Sequence, residues 1–197
     1  MGAVQSRREA VALAFFGLMA VTALLMTAYQ LGSGGPKGRE RHVQDQVQRL
    51  RERAARLEEA VRANPGDLRT LVALGDVYLD LGQPRQALQV FQRAEKLAPD
   101  DVHVLSDLGS LYQRFGRYDE ALAKFARVVE VAPDRLGALV HMGLIYRYNK
   151  GNPEKALEIF REVLGRNPDP RLAEMAEREI AKIEAELGRN TPGQSGN

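Results

Sequence analysis

Apolar and small residues recur along the chain in three copies of one pattern, and the second copy begins 34 residues after the first. Within each copy the apolar positions are three and four residues apart, which is typical of amphipathic α-helices. The first copy has Leu71, Leu74, Gly75, Tyr78, Ala87, Phe91 and Pro99. The second has Leu105, Leu108, Gly109, Tyr112, Ala121, Phe125 and Pro133, and the third has Leu139, Met142, Gly143, Tyr146, Ala156, Phe160 and Pro168. Such a period predicts stacked units that bury their apolar faces against their neighbours.

Each copy is predicted to form two helices joined by a tight turn, near Gly82, Gly116 or Gly151. We expect the repeated glycine on the first helix and the repeated alanine on the second to be small because the two helices cross closely there. The tyrosines and phenylalanines are expected to fill the space between units. The prolines are expected to end the second helices.

The motifs Leu-x2-[Leu/Met]-Gly-x2-Tyr and Ala-x3-Phe-x7-Pro, present in all three copies, resemble those of the tetratricopeptide repeat. The departures are leucine in place of the family's tryptophan at Leu71, Leu105 and Leu139, and one extra residue in the third turn. The resemblance implies an all-α fold, a tetratricopeptide-repeat α-solenoid with three full repeats over residues 67–170. A partial N-terminal repeat and a C-terminal capping helix are expected to flank them, after a single transmembrane helix.

The helix predicted before the repeats, over residues 42–66, has two interpretations. Its apolar stripe consists of Val43, Val47, Leu50, Ala54, Leu57 and Val61. As a coiled-coil seam the stripe would make a homodimer, and as the second helix of an incomplete repeat it would pack on the next unit. The incomplete repeat is favoured because Leu57, Ala60 and Pro65 precede Phe91, Ala94 and Pro99 by one period.

The helix predicted after the repeats covers residues 171–188. Its apolar face consists of Leu172, Met175, Ala176, Ile180 and Ile183. The resemblance implies that this helix covers the apolar side that the last repeat would otherwise expose. The remaining residues, 189–197, are predicted to form a disordered tail.

The segment 10–31 contains no charged residue, and as a helix it would be about 33 Å long, enough to cross a bilayer. We interpret it as an uncleaved transmembrane helix, with a cleaved signal peptide or a buried soluble helix as the alternatives. A basic tail, residues 1–9, precedes it, and a Gly-rich flexible linker, residues 32–41, follows it. Basic residues before the apolar segment favour a cytoplasmic N-terminus and a periplasmic repeat domain.

Composition and charge argue against several classes of function, among them nucleic-acid binding and catalysis. The sequence pI is near 9.0, yet the basic excess lies beside the apolar segment, so a membrane surface is favoured over nucleic acid as its partner. The chain has no cysteine, no Gly-rich phosphate loop and no recognisable nucleophile motif. Its three histidines, His42, His103 and His141, lack the usual metal-ligand spacing. We therefore predict no enzyme activity, no cofactor and no metal site.

The resemblance implies that the first helices line a concave groove that receives a protein or peptide partner. The matching positions in this chain are Arg69, Val72, Asp76, Leu79, His103, Ser106, Asp107, Ser110, Gln113, Arg114, Val140, His141, Leu144, Arg147 and Tyr148. The set is polar at one end and apolar at the other.

These features predict a single-pass scaffold or assembly factor of a bacterial inner membrane that binds a polypeptide through its repeats. Families with an N-terminal anchor and similar repeats include some that act in cytochrome c maturation or protein export, and the resemblance implies a role of this kind. The alternative function is that of a structural accessory subunit integrated permanently in a membrane complex.

Overall fold

The computed structural model describes residues 36–190, all of whose regular secondary structure is α-helical. The eight helices are α1 (Pro36–Ala63), α2 (Leu68–Asp80), α3 (Pro84–Leu97), α4 (Val102–Arg114), α5 (Tyr118–Val131), α6 (Leu136–Tyr148), α7 (Pro153–Gly165) and α8 (Pro170–Asn190). The pairs α2/α3, α4/α5 and α6/α7 are antiparallel hairpins that correspond to the three sequence copies. The all-helical repeat architecture is therefore confirmed.

The predicted N-terminal tail, residues 1–9, and the predicted transmembrane helix, residues 10–31, lie outside the described residues. Of the predicted disordered tail, residues 189–197, the part from 191 onward also lies outside them, whereas residues 189 and 190 belong to α8, so the last helix is longer than predicted. Across residues 36–190, no helix combines the length and the apolar character that crossing a membrane requires.

The predicted flexible linker differs from the structure at its C-terminal end. The first helix, α1, begins at Pro36, so residues 36–41 are helical. Proline suits the first position of a helix because the N–H group it lacks would have no partner there, and the charged residues after it are good helix formers.

Residues 36–52 form one compact unit and the rest of the described chain forms another. In the first unit the side chain of Val43 is 56% exposed, and Gln48 donates to Glu52 at 3.1 Å.

Helix starts are stabilised by side chains that accept hydrogen bonds from free backbone N–H groups. Asp67 caps α2 by accepting from the N–H of Arg69, and Asp101 caps α4 by accepting from the N–H of Val104. Asn152 caps α7 in the same way, through the N–H of Lys155. These caps fix the point at which each of these helices begins.

The tight turns form at the predicted glycines because each requires a left-handed backbone. Gly82 has φ 67°, and the N–H of the next residue, Gln83, donates to the carbonyl of Tyr78 at 2.8 Å. This is the Schellman geometry that glycine favours at a helix C-terminus. In the third turn, which carries the extra residue, the N–H of Asn152 reaches the carbonyl of Tyr146 at 2.9 Å, so the insertion changes only the loop.

The close crossing expected inside each hairpin is present. A methyl group added to Gly75 would lie 2.6 Å from Cζ of Phe91, far inside van der Waals contact. Gly109 stands in the same relation to Phe125, and Gly143 to Phe160. The phenylalanines thus pack on the glycine of their own hairpin, whereas the sequence placed them between units. They reach the next unit as well, since the ring of Phe125 stacks on His141 with centroids 4.8 Å apart.

The C-terminal half of α1 takes the place of a second repeat helix. Tyr78 donates its hydroxyl hydrogen to Glu58 at 2.7 Å, and Gln92 donates to the hydroxyl of Tyr112 at 3.0 Å. In both pairs the two residues are 20 positions apart in the sequence. Glu58 of α1 therefore contacts the first hairpin in the way that Gln92 of α3 contacts the second. Ala54 and Val61 of the predicted stripe are buried. These contacts agree with an incomplete repeat at this position.

Candidate partner-binding groove

The first helices of the three repeats, α2, α4 and α6, lie side by side. Asp76 of α2 meets His103 of α4 at 3.2 Å, and Gln113 of α4 meets His141 of α6 at 3.2 Å. The second helices form a parallel row, because Lys124 of α5 contacts Glu95 of α3. We use "groove" for the face formed by the predicted side chains on α2, α4 and α6.

The α2 end of the groove carries Arg69, Val72, Asp76 and Leu79. Arg69 is exposed, and the other three side chains are half-buried. Because Val72 and Leu79 retain some exposure beside charged groups, this end of the groove offers a partner both apolar and polar contacts.

His103 lies between two carboxylates at the α2/α4 boundary. Its Nε2 atom is 3.2 Å from Oδ1 of Asp76 and 3.3 Å from Oδ2 of Asp107. Burial raises the pKa of Asp107, His103 opposes that rise, and the charge of Asp76 adds to it. Sequence analysis singled out all three residues as groove positions and not as one cluster, because the residues that meet come from two different repeats.

The centre of the groove is a pocket of about 370 Å³ between α4 and α6. Its lining also includes residues that were not predicted for the groove, among them Asp134, Arg135, Leu136 and Ala138 around the start of α6, and Leu172 of α8. Leu172 belongs to the apolar face predicted for the last helix. The others lie outside the repeated motif positions, so the sequence offers no signal for them.

Ser106 and Ser110 line this pocket, and each hydroxyl group donates to the backbone of the preceding helical turn. Ser106 donates to the carbonyl of Val102 at 2.6 Å, and Ser110 donates to the carbonyl of Ser106 at 2.9 Å. With its single hydrogen committed, each hydroxyl oxygen keeps lone pairs that can accept a hydrogen bond. Gln113 and Arg114 follow on the same helix, where Gln113 is half-buried and Arg114 is exposed.

His141 also lines the pocket, and its burial favours the neutral form of the ring. The ring stacks on Phe125, and burial lowers the pKa of His141 below its ordinary value of 6.5. Nδ1 lies 3.2 Å from Oε1 of Gln113, a contact that is a hydrogen bond in the tautomer with its hydrogen on Nδ1. In that tautomer Nε2 can accept a hydrogen bond from a ligand.

The α6 end of the groove differs from the prediction because α8 packs against it. Val140 is 7% exposed and belongs to the core cluster that contains Ala176 and Ile183 of α8. Leu144 packs against the same cluster. Val140 therefore serves the interior of the molecule, whereas Leu144 is half-buried. The more open part of the groove is formed by α2, α4 and the beginning of α6.

Arg147 and Tyr148, also predicted for the groove, contact α8, Arg147 through an ion pair and Tyr148 through a hydrogen bond. Nε of Arg147 lies 3.2 Å from Oε2 of Glu179, and the hydroxyl of Tyr148 donates to the same oxygen at 2.6 Å. The side chain of Arg147 is only 10% exposed, whereas Tyr148 remains 58% exposed. Glu179 was missed by sequence analysis, although it lies at an apolar position of the α8 stripe, three residues after Ala176. A carboxylate on an apolar stripe is the signal of a buried ion pair.

Comparison with known proteins agrees with the repeat architecture. The family model described as tetratricopeptide repeat matches residues 45–102, 72–135 and 106–169. The first of these matches includes the C-terminal part of α1, in line with its position as half of a repeat. No curated protein matches the chain.

Solved structures of similar fold include MamA and YrrB. A crystal structure of MamA has a TM-score of 0.63 with 21% identity, over 68% of this chain and 77% of MamA. Another MamA structure, AMB-1, has a TM-score of 0.60 with 26% identity, over 72% and 81% of the two chains. YrrB, described as a TPR protein with an unusual peptide-binding site, has a TM-score of 0.60 with 30% identity, over 85% and 87%. The sequence motifs, the glycine-centred hairpins and these matches lead to one conclusion: the chain belongs to the tetratricopeptide repeat family.

Proposed function

We propose that the protein is a membrane-anchored scaffold that binds an extended segment of a partner polypeptide in the groove formed by α2, α4 and the start of α6. The observation that carries the proposal is the pocket lined by Ser106, Ser110 and His141, three side chains whose hydroxyl and imidazole groups can accept hydrogen bonds. An extended peptide has free backbone N–H groups, which are the donors that such atoms accept. The similarity to YrrB, a TPR protein described with a peptide-binding site, supports the same class of ligand.

The groove also supplies contacts for the side chains of a peptide. Val72 and Leu79 offer half-buried apolar surface at the α2 end, while Arg69 and Arg114 are exposed and cationic. Apolar contact provides most of the affinity of such grooves, and placed polar groups fix orientation. The preferred segment would be extended and would combine an apolar residue with an acidic one.

A pocket-blocking variant tests this function. The full chain, held in detergent micelles, is screened against a phage-displayed library of random peptides, and selected peptides are measured by fluorescence anisotropy. Ser110 is exposed, so Ser110→Lys fills the pocket without disturbing the core, and we expect affinity to fall about tenfold, or roughly 1.4 kcal/mol. Ala123→Lys on the exposed side of α5 is the matched control and keeps full affinity. Equal affinity in both variants would place the peptide elsewhere.

The anchor is the second part of the proposal. Residues 10–31 are taken as a single helix in a bacterial inner membrane, with the repeats on the periplasmic side, where assembly of cytochrome c or of exported proteins would supply unfolded partners. We expect the full chain to stay in the membrane fraction through an alkaline carbonate wash, whereas Leu18→Arg/Leu24→Arg releases it because each arginine costs about 3 kcal/mol within a bilayer. Wild-type protein in the wash supernatant would refute the anchor.

The nature of the partner separates the scaffold from the alternative of a permanent accessory subunit. Crosslinking of the full chain in its membrane is expected to capture polypeptides whose association ends when they fold. A stoichiometric complex that survives mild detergent and high salt would instead establish the permanent subunit.

A further inference from the structure

Asp76, His103 and Asp107 bring three metal-ligating groups together at the boundary between the first and second repeats. One ligand atom from each residue lies within 4.8 Å of the other two. His103 and Asp107 are four residues apart on α4 and therefore project from one face of that helix. Asp76 reaches them from α2.

Two separations in this cluster, both measured from Nε2 of His103, match the edge of a tetrahedral metal site, and the ligand atoms of the two aspartates lie within 4.8 Å of each other. Zn²⁺ binds imidazole nitrogen and carboxylate oxygen at about 2.0–2.1 Å in tetrahedral sites, so adjacent ligand atoms lie about 3.4 Å apart. Nε2 of His103 is 3.2 Å from Oδ1 of Asp76 and 3.3 Å from Oδ2 of Asp107.

We propose that Asp76, His103 and Asp107 bind a divalent transition metal ion, Zn²⁺ in the first instance, with three protein ligands and a fourth position open to water or to a partner. One imidazole with two carboxylates suits zinc, whereas magnesium and calcium take oxygen ligands. This inference does not rest on the peptide-binding function.

Hydrogen bonding alone leaves the cluster incompletely satisfied. Nε2 of His103 carries at most one hydrogen, which can serve the contact with Oδ1 of Asp76 at 3.2 Å. Oδ2 of Asp107 is buried and accepts no hydrogen bond. A buried carboxylate oxygen without a donor is costly. A cation contacts the lone pairs of all three atoms at once and neutralises two adjacent negative charges.

The surroundings hold the ligands in place. The ring of Phe91 meets the imidazole of His103 edge-on, with centroids 6.4 Å apart. Because Phe91 is completely buried and packs on Gly75, this neighbour of the imidazole is itself fixed. The ion would join α2 to α4 and so strengthen the contact between two repeats.

Calorimetry on the full chain in detergent tests the site. Protein stripped with EDTA is titrated with ZnCl₂ at neutral pH, and one ion is expected to bind per chain. His103→Gln and Asp107→Asn should each weaken binding at least about tenfold, which is roughly 1.4 kcal/mol. His42→Gln, on an exposed histidine of α1, and Asp119→Asn, on an exposed aspartate of α5, are the matched controls and keep wild-type affinity.

Two further readouts test the site without calorimetry. Co²⁺ in place of Zn²⁺ should give the intense visible absorption of a tetrahedral ion, and this absorption should be absent from His103→Gln. Zn²⁺ should also raise the melting temperature of the wild type and not that of the variants, since a ligand that binds only the folded state stabilises it. Circular dichroism establishes that the variants are folded. Weak binding of several ions, equal in wild type and variants, would mean an adventitious ion only and would overturn the proposal.

Discussion

Tyr78 donates a hydrogen bond of 2.7 Å to Glu58, which lies 20 residues earlier in the chain and on the helix that completes the first repeat interface. Burial, the hydrogen bond to Glu58 and the negative charge of Glu58 together raise the pKa of Tyr78 to about 12. The protonated hydroxyl is thus part of the contact between α1 and α2.

Replacement of Glu58 by glutamine should lower the pKa of Tyr78, because the charge that disfavours the tyrosinate is removed. Because the folded-state pKa exceeds the ordinary value of 10.0, this group stabilises the protein fully below pH 10 and loses its contribution as pH rises towards 12. Ultraviolet titration of tyrosinate measures the shift. Glu59→Gln, on an exposed neighbour, is the control, and an identical titration of both variants would contradict the assignment.

Alanine at Gly75 should destabilise the first hairpin. Its methyl group would meet Phe91 at 2.6 Å, so the helices must separate or the buried ring must move, at a cost of about 1–3 kcal/mol in the free energy of unfolding. Gly137→Ala is the control, because nothing lies within 4 Å of the added methyl group and alanine favours a helix. Urea denaturation compares the two variants.

The pairing of Gly75 and Phe91 can be tested further with a second change. Phe91→Leu shortens the side chain that the new methyl group meets, so the double variant should lose less stability than the sum of the single variants. Additive losses would mean that the glycine is small for a reason other than this ring.

Neutralising Glu179 should weaken the attachment of the last helix. Burial opposes its ionisation, but hydrogen bonds from Lys182 and Tyr148 and the charges of Lys182 and Arg147 hold the pKa of Glu179 below its ordinary value of 4.5. We expect Glu179→Gln to cost about 1–3 kcal/mol, because Arg147 loses a counter-charge in a buried position. Thermal unfolding measures the loss, and Glu177→Gln on the exposed side of α8 should be neutral.

The lowered pKa of Glu179 also predicts that the stability of the protein falls in acid. With a folded-state pKa below the ordinary value, the contribution of Glu179 is complete above pH 4.5 and is lost as pH falls through the folded value. The gap in stability between wild type and Glu179→Gln should therefore narrow in acid. A gap that stays constant down to pH 3 would contradict an ionised Glu179 as its cause.

His141 should remain neutral to a lower pH than a free histidine. Burial lowers its pKa below 6.5, so this residue stabilises the fold above pH 6.5 and loses that effect as pH falls towards the folded value. NMR titration of the imidazole resonances measures it, with assignment by their loss in His141→Gln. The reference is the same resonance in denaturant, and coincidence of the two curves would contradict burial as the cause.

Much of the fold followed from the sequence because the relevant forces are local and repeated. The glycine, alanine, tyrosine and phenylalanine positions recur with a fixed spacing, and each has one packing requirement that only a few residue types meet. The tight turns were predicted correctly for the same reason, since Gly82 and its two equivalents adopt a backbone that other residues avoid.

The groove was harder to predict because its limits depend on contacts between distant parts of the chain. Val140 occupies a groove position in the repeat pattern, yet α8 buries it. Arg147 likewise occupies a groove position, but its charge is paired with Glu179 of α8. Glu179 lies 31 residues after Tyr148, the neighbour of Arg147, so the repeat pattern does not reveal the pairing. The meeting of Asp76 with His103 also joins two repeats, so a search within one motif does not reveal it.

The buried pairing of Arg147 with Glu179 also determines what the end of the array presents to its surroundings. The outward side of α8 is charged, with Arg171, Glu174, Glu177, Arg178 and Lys182 all exposed. Another copy that approached this end would have to strip water from these groups before any apolar surface came within reach. The charged side of α8 therefore disfavours the stacking of a second copy on this end of the array.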